Sequence, residues 1–561
     1  MSFKNWDIAG FDRDAAVGLC RRGISPLVSV FLAARGFAQH EDAAAFLGPC
    51  EIFDPWLLTD MDKAVARIKS AVEKGQRIAI YGDYDVDGIT ACAILAGYLR
   101  SVDANFEIYI PGRIDEGYGL SCAALDTLKS RGVELIITVD CGITAIDEAV
   151  YARELGMGLI ITDHHECMER LPEADAVIDP RRLDCNYPND TLAGVGVAFK
   201  LVCALEDEIS ADDMLRRYGD LVALGTIADV MPVTGENREI IKRGLYILNN
   251  NPSPGLSALL RQSGTQRGRV NTSTVGYVLA PRLNAAGRMG QTDIAVQLLL
   301  TESDAEARHL ALELDRLNTQ RKKLEAEIYE SAETLLEDVS LDGPIVLAQR
   351  DWYQGVTGIV AAKISERHCL PTIIISIDED NLGRGSCRSF GTFGLYSALR
   401  ACEDLLISYG GHEMAAGVTI AQENIEQFRQ RINDYYRDNI KSVPQSGLRL
   451  DFEVEKPELL SPQNIEALDQ LEPFGSGNPS PALCILGAQL IDASGVGAGR
   501  HTRLRIKKSG KTLDCIYFGV APEEMGVTTG MDVDIAFEPQ INEFRGRSNV
   551  QLQVMDIRES L

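Results

Sequence analysis

The chain has 561 residues, 45% of them hydrophobic, which suits about two to four domains with full cores. A net charge of −27 excludes a general basic coat for nucleic acid, so any nucleic-acid site has to be a local basic groove in an acidic protein. No apolar run approaches the length of a membrane span, the N-terminus lacks a signal-peptide core, and the thirteen cysteines are scattered without a Cys-x-x-Cys pair. No membrane, disulfide framework or zinc site is therefore expected, and a cytoplasmic protein is.

Residues 1 to about 50 read as short helical patterns broken by Gly and Pro, without chemistry. Residues 60–74 form an amphipathic helical pattern leading to the apolar run Ile78-Ala79-Ile80. Directly after it stand three carboxylates at alternate positions, Asp83, Asp85 and Asp87, followed by Gly88 and a helical pattern to Arg100. A strand ending in such a loop aims carboxylates at one point beyond the sheet's carboxyl edge. Their hard oxygens suit Mg²⁺ or Mn²⁺. A calcium loop is excluded by spacing, because Ile94 stands where the twelfth-position Glu would be needed.

The pattern repeats along the chain. Leu135 to Val139 ends in Asp140-Cys141-Gly142, Leu159 to Thr162 ends in Asp163-His164-His165, and Leu224 to Ala228 ends in Asp229. One such end would pass for a solvated turn, and a lone His pair is more often structural. Four within one βαβ rhythm, which itself implies a mainly parallel sheet, point to a metal site. Gly194-Val195-Gly196 precedes a helical pattern but lacks the full dinucleotide fingerprint.

The order Asp-x-Asp-x-Asp-Gly, Val-Asp-Cys-Gly, Asp-His-His and Gly-Thr-Ile-Ala-Asp resembles the DHH phosphoesterase superfamily, and within it the single-strand-specific 5′-to-3′ DNA exonucleases. The resemblance implies an α/β fold: a parallel-sheet DHH domain with a helical N-terminal extension over residues 1–300 and a connecting helix over 301–340. A smaller α/β DHH-associated domain over 341–442 and a C-terminal OB-type β-barrel with its linker over 443–561 complete it. It implies two ions, Mn²⁺ or Mg²⁺, with Asp83, Asp85, Asp87, Asp140, His164 and Asp229 as the ligand candidates. His165 then contacts the scissile phosphate or transfers a proton, and Asp163 orients the imidazoles. Tyr81 replaces the metal-binding His of some smaller DHH phosphatases, which disfavours a pyrophosphatase.

Further along, Arg113 alone would read as a surface ion pair, and the resemblance places it near the nucleic acid. Arg282 and Arg288 flank Asn284 in Pro281 to Met289, where phosphate contact and a structural clamp both fit Arg282. Residues 302–338 lack Gly and Pro and should span roughly 55 Å as a helical strut, a coiled coil being the alternative. In the second domain, Ser386, Arg388 and Ser389 follow a strand, and Gly410-Gly411-His412 resembles the superfamily's substrate-holding motif. Ser386 and Arg388 are expected to cradle a terminal 5′-phosphate. In the last domain, Arg500, Arg503, Arg505 and Lys507 alternate with apolar residues, as on one face of a strand bordering a single-stranded DNA groove. Tyr517 and Phe518 offer a weak stacking platform beside it. Expected partners are single-stranded DNA, a single-strand-binding protein and a helicase, with the chain acting as a monomer in recombination and repair.

Overall fold

The computed structural model describes every residue except 1–4, 113–116, 118, 267, 338–340, 440–446, 545–546 and 561. It divides into two compact units, one of Ile52–Met231 and Ile240–Pro444, the other of Met1–Glu51, Pro232–Glu239 and Gln445–Leu561.

The larger unit opens on a five-stranded sheet with all pairings parallel, β1 (Ile78–Gly82), β2 (Phe106–Tyr109), β3 (Leu135–Val139), β4 (Gly158–Thr162) and β5 (Ala176–Ile178), in the order β2-β1-β3-β4-β5. Strands β1 and β3 are buried along their whole length, because helices cover both faces. Ile78, Ile80, Leu135 and Ile137 enter the core shared with α1 (Val86–Ser101), whereas Ala79, Tyr81 and Ile136 face the core that Ala149 and Ala152 of α2 (Ile146–Glu154) join. Helices α3 (Gly194–Leu205) and α4 (Ala211–Ala228) pack on α1, and the run Leu224 to Ala228, expected as a fourth strand end, is instead the end of α4 with Asp229 as its C-cap.

Register is what concentrates the chemistry. Gly82 pairs with Val139, Val139 with Thr162, and Thr162 with Ile178. The next residue of each strand therefore leaves the sheet at one level, and those residues are Asp83, Asp140, Asp163 and Asp179. Parallel strands in register turn four separate chain segments into one row of carboxylates.

Helix α5 (Ala280–Arg288) leads toward α6 (Asp304–Leu336), the strut expected over 302–338. Leu310, Leu314 and Leu317 of α6 belong to the first core, and Ile328, Ala332 and Leu336 to the second, so its apolar stripe is consumed within the chain rather than left for a coiled coil. Between the two stripes, buried Arg321 donates to Glu325 (2.8 Å), which also pairs with Lys363 of α7 (Gln354–His368). The second sheet has β6 (Ile345–Arg350), β7 (Thr372–Ile377), β8 (Leu382–Arg388), β9 (Leu406–Gly411) and β10 (Ala415–Ala421), in the order β9-β10-β8-β7-β6, with only β6–β7 parallel.

In the other unit, β11 (Leu483–Val496), β12 (His501–Lys508), β13 (Lys511–Tyr517), β14 (Asp532–Phe544) and β15 (Arg547–Glu559) pair in the order β11-β12-β13-β15-β14, and a β11–β14 pairing closes the barrel. Five closed strands are the OB architecture. The sequence reading attaches the N-terminal helices to the first domain. In the structure Leu19, Leu27, Phe31 and Leu32 share their core with Phe452, Leu483 and Phe537 of the C-terminal segment instead. Strand Asn5–Ile8 also pairs with Gly447–Leu450.

Candidate metal centre and substrate cleft

The three aspartates after β1 have different local tasks. Asp83 is buried at the strand end. Asp85 is the N-cap of α1, accepting from the Gly88 N–H (3.1 Å). Asp87 accepts from the Gly194 and Val195 N–H groups (2.7 and 2.8 Å), which fixes the N-terminus of α3 against α1. A Cβ on Gly194 would stand 2.6 Å from both Cβ and Oδ1 of Asp140, so only glycine lets α3 approach that carboxylate. Asp140 itself has φ of 60°, a left-handed backbone that Asp tolerates better than most residues and that turns its side chain away from the strand path.

Three sets of potential ligand atoms result, with the atoms within each set lying within 4.8 Å of one another: Asp83, Asp85 and Asp140; Asp87, His164 and Asp229; Asp140, Asp163, His164 and His165. Asp140 and His164 each belong to two sets. His164 Nε2 lies 3.1 Å from Asp140 Oδ1 and 3.6 Å from Asp229 Oδ2. Yet these three buried atoms make no hydrogen bond among the described residues. Burying polar atoms with nothing to bind is costly.

The charge state says the same. Burial, then the charges of Asp87, Asp85 and Asp83, pushes Asp140 well above the usual carboxylate range. Burial and Asp229 do so for Asp87, and burial and Asp85 push Asp229 up to about 7. Burial drives His164 down to about 3, leaving a neutral imidazole able to ligate. Carboxylate oxygens plus one neutral nitrogen fit hard or borderline divalent cations such as Mg²⁺ and Mn²⁺. His165 is different: burial lowers it, but its 2.7 Å contact with Asp163 outweighs that and holds it up at about 9. Asp163 also accepts from the N–H groups of Ile143, His164 and His165, so it fixes the whole turn.

Beside the row lies a cavity of about 270 Å³ lined by Asp83, Tyr84, Asp85, Asp140, His165, Asp229, Asn284 and Arg288. A larger cleft, about 1120 Å³, shares Tyr84 and His165 with it and extends between the two sheets' domains. Its far wall is β8 and the β9–β10 hairpin, with Arg384, Ser386, Arg388, Gly410, Gly411 and His412. Strand β8 alternates, so Arg384, Ser386 and Arg388 line the cleft while Cys387 is buried. Ser386 Oγ bonds Thr357 Oγ1 of α7 (3.0 Å). Arg288 reaches across to the Gly355 carbonyl (3.2 Å).

Two expected substrate contacts lie elsewhere. Arg282 bonds Asp315 of α6 (3.0 Å) and the Val278 carbonyl (2.7 Å), so the clamp alternative describes it. Ser389 turns its hydroxyl to the Phe393 carbonyl and lines neither cavity. Arg113 falls outside the described residues. On β12, Arg503, Arg505 and Lys507 are exposed on one face, but Arg503 and Arg505 lie 3.4 Å from Asp514 and Asp492. Arg500 is exposed beside them, its Nε on the Gly497 carbonyl. Tyr517 is buried, whereas Phe518 is 54% exposed with its ring 5.4 Å from that of His501. The available platform is therefore Phe518 with His501.

Sequence reading missed Arg384 and Asp179, named Asn284 only as part of the Pro281 to Met289 motif, and weighed Gly194 only as a dinucleotide loop. Arg384 was signalled by the period of two ending in Ser386 and Arg388, and Asn284 by lying one helical turn before Arg288. Asp179 is buried, accepts from the Arg181 N–H (2.7 Å), and is pushed up to about 7 by burial.

A parallel sheet with a carboxylate row at its edge, opposed by a second α/β domain across a cleft, defines a metal-dependent DHH-type phosphoesterase. The chain matches the models of the DHH family N-terminal domain over residues 77–226, the DHHA1 domain over 342–438 and the RecJ OB domain over 450–556. It is 40% identical over 560 residues to the single-stranded-DNA-specific exonuclease RecJ of Bacillus subtilis (strain 168), covering 98% of this chain and 70% of that one. To the RecJ of Escherichia coli (strain K12) it is 34% identical, covering 90% and 91%. The crystal structure of RecJ in complex with Mn²⁺ from Thermus thermophilus superposes with a TM-score of 0.85 at 30% identity, over 99% of this chain and 80% of that one. A complex of the same protein with Mg²⁺ gives a TM-score of 0.80. The chain belongs to the RecJ family.

Proposed function

We propose that this chain is a single-stranded-DNA exonuclease that removes mononucleotides from the 5′ end with two divalent cations, Mn²⁺ or Mg²⁺. It would act in recombination and repair, as a cytoplasmic monomer beside a helicase and a single-strand-binding protein. The observation that carries the reading is the continuity of the carboxylate row with the β8 wall through Tyr84 and His165. Asp83, Asp85, Asp87, Asp140, His164 and Asp229 would hold the cations, and Asp87 would also pin the N-terminus of α3 beside Asp140. Cations bound there supply charge neutralisation to the attacking and leaving oxygens of an in-line displacement.

The protein's own groups do the rest. His165, kept protonated by Asp163, donates to a phosphate oxygen or to the leaving oxygen. Arg288 and Asn284 orient the scissile phosphate from the opposite side of the small cavity. Ser386, Arg388 and the Gly410-Gly411-His412 turn seat the terminal phosphate at the far wall, which sets a mononucleotide as the unit of removal. The exposed face of β12 with Phe518 takes the downstream strand.

The test uses single-stranded DNA labelled at either end, with Mn²⁺ or EDTA. Mononucleotides appearing first from the 5′ label, lost in EDTA and in Asp140→Asn, are expected. Release from the 3′ label, or turnover of pyrophosphate alone, would overturn the reading.

A further inference from the structure

The large cleft carries charge of opposite sign on its two walls. Arg384 and Arg388 line one, and Glu148 and Glu166 the other. Glu166 is answered by Arg181 Nη1 at 2.7 Å, whereas Glu148 makes no ion pair among the described residues. Glu148 sits in the first turn of α2, where the helix dipole favours a carboxylate. A cleft built only to attract phosphate would have no use for this group.

A nucleotide, however, has two sides. With its phosphate along Arg384, Ser386 and Arg388, its base would be left to the other residues that line the cleft, among them Thr144, Ala145 and Glu148. On the edge that bears the exocyclic group a carboxylate accepts from the amino group of cytosine or adenine, whereas thymine presents its O4 carbonyl there and offers a donor only at N3–H on the pairing edge. Building on the exonuclease reading above, we infer that Glu148 is a specificity-determining residue that reads the base near the processed end and favours amino-bearing bases over thymine.

The experiment measures hydrolysis by the full chain of 5′-phosphorylated single strands that differ only in the terminal nucleotide. It also measures equilibrium binding of 5′-dCMP against 5′-dTMP, which reads base preference whether or not DNA is cut. Wild type is expected to process dC ends about tenfold faster than dT ends, the lower range of one good base contact, and to bind dCMP more tightly by a similar factor. In Glu148→Ala both ratios fall to about one. Glu148→Gln, whose amide also donates, raises dT relative to dC. Because each ratio is internal to one protein, partial loss of folding cancels. A wild type indifferent to the base, or a preference that survives Glu148→Ala, overturns the inference. Absence of hydrolysis from every end would strike the exonuclease reading instead, and unequal mononucleotide binding abolished by Glu148→Ala would still support the base contact.

Discussion

The carboxyl edge of the parallel sheet, where strand ends meet the ends of α1 and α4, and the outer face of β12 both concentrate charge, by opposite means. At the sheet edge, like charges are buried side by side, and burial raises the carboxyls of Asp87, Asp140 and Asp229. On β12, cations stand in solvent and two of them already have an aspartate within 3.4 Å. The first arrangement is unfavourable until a cation arrives, which makes it selective and intolerant of change. The second costs little and gains little per residue, so it works by repetition.

The largest effects belong to the sheet edge. Asp140→Asn keeps a side chain that accepts the left-handed backbone and removes the charge shared by two of the ligand sets. Its kcat on single-stranded DNA is expected to fall at least about 10³-fold, while its unfolding midpoint in EDTA at about pH 8 rises because a buried charge without a cation is gone. A residual rate within tenfold of wild type would remove Asp140 from the centre of the site. Next comes Gly194→Ala, whose Cβ would collide with Asp140. Overpacking of this kind costs about 1–3 kcal/mol, and displacing a catalytic group by about 1 Å can cost 10²-fold in rate. Stopped-flow hydrolysis together with thermal unfolding separates the two.

These cases show what the chain made legible. Apolar runs closing on Asp83, Asp140 and Asp163 disclosed the edge, because strand ends are local in sequence. Register is not local. Asp179 follows a strand of only three residues, Ala176–Ile178, too short to stand out by periodicity, and only pairing with β4 places it in the row. Gly194 lacked a dinucleotide fingerprint, rightly so, but its use is a long-range approach to Asp87 and Asp140. Arg282 and Ser389 share motifs with true cleft residues, and side-chain direction alone separates them. The N-terminal helices carry no chemistry, and their partners lie more than 400 residues away in the C-terminal segment.

Cation binding gives a smaller, thermodynamic contrast. In EDTA, Asp229 with its carboxyl raised to about 7 binds more protons folded than unfolded, and so do Asp140 and Asp87. Stability therefore falls as pH rises through 7. His165, raised to about 9, acts in the same direction, while the opposite contribution of His164 is complete above about pH 6.5. The unfolding temperature in EDTA should drop between about pH 6.5 and 8. Mn²⁺ at a hundredfold excess over its Kd should restore about 2.7 kcal/mol in wild type and less in Asp140→Asn. A Mn²⁺ response identical in both proteins would place the cation elsewhere.

The barrel face provides the smallest effects and the sharpest test of the contrast. Phe518→Ala removes an exposed ring and should weaken long-strand binding by about 1–3 kcal/mol, nearly independently of salt, because stacking is not screened. Arg505→Ala should do the reverse. Its loss is small at any one salt concentration, since Asp492 already shares its charge, but the slope of log K against log salt should shrink by about 0.7, the share of one single-strand phosphate contact. Measured on a dinucleotide, which offers no downstream strand to hold, neither substitution should matter. If Arg505→Ala leaves the slope intact on long strands, β12 is a solvated face and the groove lies on another strand of the barrel.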